Sequence, residues 1–315
     1  MFLDRGIVAV LATTLLVGLG DSQCAAQKRR SPVSTEPSTR ATPNLPLFEN
    51  TFGTPTAEQL EELDKVEISG AEERQFGGRI IDAYLDDLHR QKLKVAKRGR
   101  DVEYLRDLVK SVQPFMKNGE RYRSIKVYVV DSPLTDARSI PGGTLVFYRG
   151  LLDFAESEAA IVGVVGHELS HLDRGHQLAP LRRIKQFEEG LTPGHQGFQP
   201  DKMMLGIRAI VEGYARPFRP EDESDADHDG TRWAFQAGYD PREFAELFLK
   251  LHRRDGDKAA PIPFLQTHPF RLDRYRTIHA QYLELQTDSP QKQLYVGREN
   301  LMQRVSRSKR EFRKE

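Results

Sequence analysis

The sequence predicts an α+β fold that is mainly helical and contains a small β-sheet. Apolar residues recur at helical spacing over much of the 315-residue chain. Two short runs are typical of strands, Ile125–Val130 and Thr144–Tyr148, and a stretch rich in Pro and Gly separates them. An apolar helix then follows from about Glu156 to Asp173 and carries two histidines near its end. These observations predict one mixed domain.

The charge balance limits the classes of partner. The chain has 47 Lys and Arg residues against 46 Asp and Glu residues, a formal net charge of +1. A nucleic-acid-binding protein would favour a clear basic excess. The composition therefore argues against nucleic acid as a partner.

The N-terminal residues differ from the rest of the chain. An apolar run from Ile7 to Leu19 follows Arg5, and small residues precede a favourable cleavage position after Ala26. The run suits a signal-peptide core and is short for a membrane span. We therefore expect residues 1–26 to be a signal peptide and the protein to be exported, either periplasmic or membrane-associated. An uncleaved N-terminal anchor is the alternative.

The remaining organisation is predicted from composition. Residues 27–50 are rich in Ser, Thr, Pro and Arg, and they predict a disordered linker because they can bury little apolar surface. A folded domain is expected over residues 51–288. The basic tail at 289–315 predicts a solvated end, with peripheral contact to an anionic membrane surface as the alternative.

The predicted helices follow one another through this domain. We expect them at about 56–88, 102–115, 156–173, 220–237, 241–252 and 269–285. Gly77 and Gly78 could interrupt the first of these. The segment Phe187–Pro220 contains many Gly, Pro and Gln residues around a helical piece, Met203–Tyr214, and it could form a lid over a cleft.

A metal-binding motif lies at the end of the apolar helix. The residues His167 to His171 match H-E-x-x-H. Side chains four residues apart share one helix face, so both imidazoles could bind a single zinc ion. Glu168 could then accept the proton of an attacking water molecule. The only cysteine, Cys24, precedes the expected cleavage position, so the other ligands must be His, Asp or Glu.

A third ligand is needed, because a catalytic zinc site has three protein ligands. The acidic stretch from residue 221 to residue 227 is the obvious source. An Asp one turn after the ligand could orient a histidine through its other ring nitrogen. Spacing alone leaves two registers open, Glu221 with Asp225 or Glu223 with Asp227.

Together these motifs resemble the zinc metallopeptidase family of HtpX and the CAAX prenyl proteases, and they are most similar to its soluble periplasmic BepA-like members. That family pairs H-E-x-x-H with a later E-x-x-A-D, which Glu223 to Asp227 matches. Further matches are Pro141-Gly142-Gly143, Gly150-Leu151-Leu152, Gly238-Tyr239-Asp240-Pro241 and Thr267-His268-Pro269 with Arg274. The resemblance covers about Leu105 to Leu285.

The resemblance implies one zinc ion per chain. It selects Glu223 as the third ligand beside His167 and His171, with Asp227 as the carboxylate that orients a ligand. It also implies that Glu168 is catalytic.

Two further residues enter through the resemblance alone. His268 is expected near the metal, where it would stabilise the oxyanion or occupy the open zinc position in a latent form. Arg274 is expected to do similar work.

The implied activity is that of a zinc-dependent endopeptidase in envelope protein quality control. Its partner would be a protein or peptide substrate in extended form, added to an edge strand at about Thr144–Arg149.

Two other functions remain open from the sequence. A largely latent, chaperone-like binding protein could use the same fold. A calcium-binding structural domain is suggested by Asp225, Asp227, Asp229 and Gly230, which match D-x-D-x-D-G, although Gln236 replaces the Glu expected at position twelve. The other histidines, including His176, His195 and His252, are expected to be ordinary surface or loop residues.

Overall fold

The computed structural model describes residues 57–188, 218–255, 268, 272–290 and 293–313. The expected signal peptide and the linker lie outside these residues. So does the expected lid with its helix Met203–Tyr214, except at the two ends of the segment. These assignments and the domain boundaries stay predictions.

The mainly helical α+β class is confirmed. The ten described α-helices are α1 Ala57–Asp64, α2 Gly70–Arg90, α3 Arg100–Val112, α4 Arg149–Phe154, α5 Glu158–Arg174, α6 Ala179–Glu188, α7 Pro220–Gln236, α8 Arg242–Asp255, α9 Leu272–Asp288 and α10 Arg298–Gln303. Short 3-10 turns occur at Gln113–Phe115, Gly119–Tyr122 and His176–Leu178. Among these helices, none is both long enough and apolar enough to cross a lipid bilayer.

Within the described part of the chain, four strands form one small sheet, β1 Lys94–Ala96, β2 Lys126–Asp131, β3 Ala137–Ile140 and β4 Thr144–Tyr148, in the order β1-β2-β4-β3. The β2–β4 pair is parallel, and the other two pairs are antiparallel. One face of the sheet packs towards α3 and α5 in the larger core, and the other face packs on α2.

The prediction that β4 is the edge strand is wrong. Strand β2 pairs with one side of β4 and β3 with the other, and the cores on the two faces of the sheet bury all five residues of β4. Val146 therefore lies opposite both Tyr128 and Arg138. The edge strand on this side of the sheet is β3. It lies in the turn-rich stretch between the two predicted strands, where the sequence predicts no strand.

Helix α2 is continuous through Gly77 and Gly78, so the expected interruption does not occur. A Cβ atom on Gly77 would lie 1.8 Å from the carbonyl oxygen of Pro141. Gly77 therefore lets the helix touch the turn between β3 and β4. The buried carboxylate of Glu73 accepts a hydrogen bond of 2.9 Å from the Gly142 amide at the same contact.

A close crossing of α5 and α7 brings the two motif-bearing helices together. A Cβ atom on Gly166 would lie 2.9 Å from the Gly230 Cα atom, and one on Gly230 would lie 2.9 Å from the His167 amide nitrogen. The two glycines thus permit an approach that larger residues would prevent. The crossing sets His167 opposite the acidic residues of α7.

The C-terminal segment differs from the solvated end that the sequence predicts. Residues 293–313 include the buried side chains of Tyr295 and Leu301. Tyr295 forms a parallel bridge with Tyr239, and the carboxylate of Glu158 accepts a hydrogen bond from the Arg307 amide at 2.9 Å. Apolar residues between the basic ones hold the segment on the domain.

Candidate metal centre

Four buried side chains converge where α5 and α7 cross. They are His167, His171, Glu223 and His268, and their metal-ligating atoms all lie within 4.8 Å of one another. His167 Nε2 lies 3.1 Å from both His171 Nε2 and His268 Nδ1. Glu223 Oε1 lies 2.8 Å from His268 Nδ1 and 3.5 Å from His171 Nε2. The cluster therefore presents three nitrogen atoms and one carboxylate to a common point.

Spacing left two pairs open as ligand and supporting carboxylate, Glu221 with Asp225 or Glu223 with Asp227, and the two pairs differ in burial. Glu223 and Asp227 are buried and face the histidines, whereas Glu221 and Asp225 are exposed. This follows from the helical period of α7, in which residues 223 and 227 lie one turn apart on the same face.

Asp227 fixes the orientation of His167. Its Oδ1 atom lies 3.0 Å from His167 Nδ1. Because an ionised carboxylate can only accept a hydrogen bond, Nδ1 carries the proton and Nε2 presents its lone pair to the cluster. A metal ion needs that tautomer.

Arg274 lies behind the carboxylates. Its Nε and Nη2 atoms lie 2.6 and 2.7 Å from the two oxygens of Asp227, and its Nη1 atom lies 2.8 Å from Glu223 Oε2. The resemblance implied that Arg274 stabilises an oxyanion. The structure instead places it where it can hold two carboxylates in position.

The electrostatics favour neutral His167 and His171 and ionised carboxylates, whereas the pKa of His268 is raised, because Glu223 and Glu168 outweigh the effect of its burial. Burial lowers the pKa of His167 and of His171 below the usual range, despite their carboxylate partners. Burial alone would raise the pKa of Glu223, but the charge of His268 and hydrogen bonds from the histidines hold it well below its ordinary value. Burial would also raise the pKa of Asp227, but the positive charge of Arg274 helps to hold it below its ordinary value. Neutral His167 and His171 with an ionised Glu223 are the protonation states that metal binding requires.

Glu168 lies at the edge of the cluster and outside the set of converging atoms. Its Oε2 atom accepts a hydrogen bond of 2.8 Å from Ser139 Oγ. Its buried Oε1 atom accepts no hydrogen bond from the described residues and lies 3.4 Å from His268 Nε2. A buried carboxylate oxygen left in this state is available to a water molecule or substrate beside the cluster.

The cluster fits zinc. In tetrahedral coordination with bonds of about 2.0–2.1 Å, ligand atoms lie about 3.3 Å apart. Five of the six pairs of the cluster's side chains approach to between 2.8 and 3.7 Å, and all the ligand atoms lie within 4.8 Å of one another. Three imidazoles and one carboxylate are also ligand types that zinc accepts.

The calcium alternative is wrong. Asp225, Asp227 and Asp229 lie within the continuous helix α7, whereas a calcium loop needs irregular backbone to wrap its oxygens around the ion. Both Asp225 and Asp229 accept hydrogen bonds from Arg174, each at 2.6 Å.

Sequence reasoning missed three residues around the centre. His176, expected to be an ordinary loop or surface histidine, has its Nδ1 atom 2.9 Å from His171 Nδ1. Burial, with the nearby His171, lowers the pKa of His176 to about 3, so it is neutral. Ser139 and Gln177 were also overlooked, since neither stands at a ligand spacing. The five-residue step from His171 to His176 crosses the helix end at Gly175, where helical periodicity gives no guidance.

An H-E-x-x-H helix that meets a buried glutamate on a second helix defines the class of zinc metallopeptidases. Comparison with protein families matches residues 101–281 to Peptidase family M48. Because this match covers more than half of the chain, the chain belongs to Peptidase family M48. The family resemblance drawn from the sequence is confirmed.

Curated relatives agree with this assignment. The mitochondrial metalloendopeptidase OMA1 of Arabidopsis thaliana is 31% identical over 147 residues, which cover 46% of this chain and 29% of that protein. The protein of the same name from Schizosaccharomyces pombe is 25% identical over 166 residues, 51% of this chain and 48% of its own length. The beta-barrel assembly-enhancing protease of Yersinia pestis is 26% identical over 155 residues, 45% of this chain and 31% of its own length. The chain thus spans less than half the length of each relative.

Proposed function

We propose that this protein is a zinc-dependent endopeptidase that cleaves protein substrates. The observation that carries the proposal is the buried cluster of His167, His171, Glu223 and His268, with the carboxylate of Glu168 beside it. Membership of Peptidase family M48 supports the same reaction class.

Each residue of the centre receives a role in this proposal. His167, His171 and Glu223 would hold one zinc ion through Nε2, Nε2 and the carboxylate. Asp227 would keep His167 in the tautomer that binds metal, and Arg274 would position Glu223 and Asp227. The last role replaces oxyanion stabilisation, because the guanidinium is engaged by these two carboxylates.

When bound, zinc would act as a Lewis acid on the scissile carbonyl and make water more acidic. Glu168 would take the proton from the attacking water through Oε1 and pass it to the departing amine. Because Oε2 accepts the hydrogen bond from Ser139, Oε1 is the oxygen that would take the proton. General-base catalysis of this kind typically contributes a factor on the order of a hundred to ten thousand.

The substrate would bind in extended form along β3. Strand β3 pairs with β4 on one side only, and no other described strand pairs with its second side. Since Ser139 of β3 contacts Glu168, a peptide added to this edge would run beside the metal centre. This edge replaces Thr144–Arg149 as the proposed substrate strand.

A role in envelope protein quality control follows as a proposal from two sources. The name of the Yersinia pestis relative links that protein to β-barrel assembly, and the apolar run Ile7–Leu19 before Ala26 suggests export. Mature protein from the native host should therefore begin near Gln27. Mass spectrometry that finds an intact Met1 in the cytosol would contradict export.

Peripheral membrane contact through the basic tail has weaker support. Three of its cations pair with carboxylates of the domain or the tail itself, namely Arg304 with Asp153, Lys309 with Asp107 and Arg307 with Glu311. Paired charges attract an anionic surface less strongly than free ones.

The test of the proposal separates metal binding from catalysis. Glu168→Gln keeps the side chain's shape and removes its basicity, so it should retain zinc and lose a factor on the order of a hundred or more in cleavage of an unfolded protein. Glu223→Gln should weaken zinc binding itself, because a neutral amide replaces a charged ligand. If Glu168→Gln cleaves as fast as an active parent, the mechanism through Glu168 is wrong. If the parent is as inactive as Glu168→Gln, the endopeptidase proposal fails and a binding protein becomes the better assignment.

We also propose that the state described here is latent, because His268 occupies a place within the ligand cluster. Its contacts of 2.8 Å to Glu223 and 3.1 Å to His167 would put it in the position that substrate must use. His268→Ala should then keep zinc and cleave faster than the parent. A slower His268→Ala variant would point instead to oxyanion stabilisation.

A further inference from the structure

We propose that Ser139 is a positioning residue for the general base Glu168, to which its hydroxyl donates a hydrogen bond. Gln177 fixes the direction of that bond by donating to the serine oxygen. This inference rests on the proposed endopeptidase function. Ser139 lies on the edge strand β3, and Gln177 lies in the 3-10 turn His176–Leu178 that follows α5. Both side chains are buried, and neither belongs to the metal-binding motifs.

The hydrogen bonds define a relay with one direction. Ser139 Oγ lies 2.8 Å from Glu168 Oε2, and Gln177 Nε2 lies 2.5 Å from Ser139 Oγ. A carboxylate that acts as general base can only accept a hydrogen bond, so the serine hydroxyl gives it its single proton. The serine oxygen is then left to accept, so Gln177 must present its NH2 group and not its carbonyl.

The relay selects which oxygen of Glu168 can react. A carboxylate can rotate about its last side-chain bond, and that torsion has a broad energy minimum. The hydrogen bond from Ser139 holds Oε2, so Oε1 is directed to the side of the cluster, 3.4 Å from His268 Nε2. A misplaced base loses rate steeply, because proton transfer needs hydrogen-bond distance in the reacting geometry.

The burial of the relay makes the effect large enough to measure. Glu168, Ser139 and Gln177 are 0%, 5% and 2% exposed, so bulk water cannot readily replace a lost hydrogen bond. Hydrogen bonds to charged groups in such surroundings are stronger than those in water, and linked bonds polarise one another.

The test uses three variants at position 139 and one control. Ser139→Ala removes the donor, and Ser139→Cys keeps the side chain's size with a weak donor. Ser139→Thr keeps the hydroxyl and should cleave at about the parent rate. Ser306→Ala is the matched control, because Ser306 is also buried and donates to a carboxylate, Asp107 at 3.2 Å, in the C-terminal segment.

Both Ser139→Ala and Ser139→Cys should lower kcat roughly tenfold, with KM and zinc content close to those of the parent. Ser306→Ala should cleave at the parent rate. The inference is overturned if Ser139→Ala keeps the parent kcat. It is also overturned if KM alone rises, which would make Ser139 a substrate contact, or if zinc is lost.

A second readout does not depend on turnover. A peptide hydroxamate gives a proton to the general base when it binds, so calorimetry of its binding should show roughly tenfold weaker affinity for Ser139→Ala and recovery for Ser139→Thr. Unchanged affinity would overturn the inference. Failure of the proposed function looks different, because the parent itself would then be as inactive as Glu168→Gln or would bind no hydroxamate, whichever residue stands at position 139.

Discussion

Arg274 illustrates how much of the centre depends on residues that need not touch the metal. It is 9% exposed and pairs with both oxygens of the buried Asp227. Arg274→Met would leave that carboxylate buried without its cation, which typically costs about 3–5 kcal/mol. Denaturant unfolding of metal-free protein should show a loss of this size. The control Arg242→Met removes a guanidinium that is 46% exposed and pairs with Asp240, so it should cost about 1 kcal/mol or less. Equal losses in both variants would contradict this account.

His176 supports the second histidine as Asp227 supports the first. Its Nδ1 atom lies 2.9 Å from His171 Nδ1, so it can accept the proton on the ring nitrogen that faces away from the cluster. Loss of such an outer partner typically weakens metal binding by about 10–100-fold. Chelator competition should show this weakening for His176→Leu and none for His89→Leu, which alters an exposed histidine of α2. Parent-like affinity in His176→Leu would rule out the supporting role.

At the scale of single residues, the sequence predicts the residues that belong to a recognisable motif. His167, Glu168 and His171 stand in a local motif, and the family resemblance, not spacing, chose Glu223 over Glu221. Ser139 and Gln177 could not be predicted, because a strand and a turn 38 residues apart meet only in the folded chain. The sequence does not predict the contact between Arg274 and Asp227 either, since it depends on how α9 packs on α7.

The crossing of α5 and α7 is the element on which the centre depends. Gly166→Ala would place a Cβ atom 2.9 Å from the Gly230 Cα atom, and backbone cannot yield as a flexible side chain can. The helices should separate, with a loss of about 1–3 kcal/mol in stability and weaker zinc binding. Gly78→Ala is the control, since nothing lies within 4 Å of its Cβ position, and it should stabilise α2 by about 0.5–1 kcal/mol. Intact zinc affinity in Gly166→Ala would contradict the claim that this crossing assembles the site.

Helices were easier to predict than strands, for a physical reason. Helical periodicity is local, and it placed α5 and α7 within two residues of their observed bounds. Strand β1 has only three residues, and β3 has only four, two of them polar, so neither has a strong local signal. Strand order depends on pairing across the chain, which is why β4 was mistaken for the edge.

For the whole molecule, the basic C-terminal segment is part of the folded unit. Leu301 and Met302 are neighbours on α10 and are 3% and 67% exposed. If the segment packs as described, Leu301→Ala should lower the free energy of unfolding by about 2–5 kcal/mol. Met302→Ala should change it by no more than about 0.5 kcal/mol. A solvated, frayed end would make the two substitutions indistinguishable in denaturant unfolding.

The central claim is that His167, His171 and Glu223 hold one zinc ion that cleavage requires. Elemental analysis of the purified mature protein, paired with cleavage of an unfolded substrate, tests it most directly. We expect about one zinc per chain, the stoichiometry of a mononuclear site. A chelator should abolish cleavage, and added zinc should restore it. Protein that holds no zinc after reconstitution, or that cleaves equally well without it, would contradict the account.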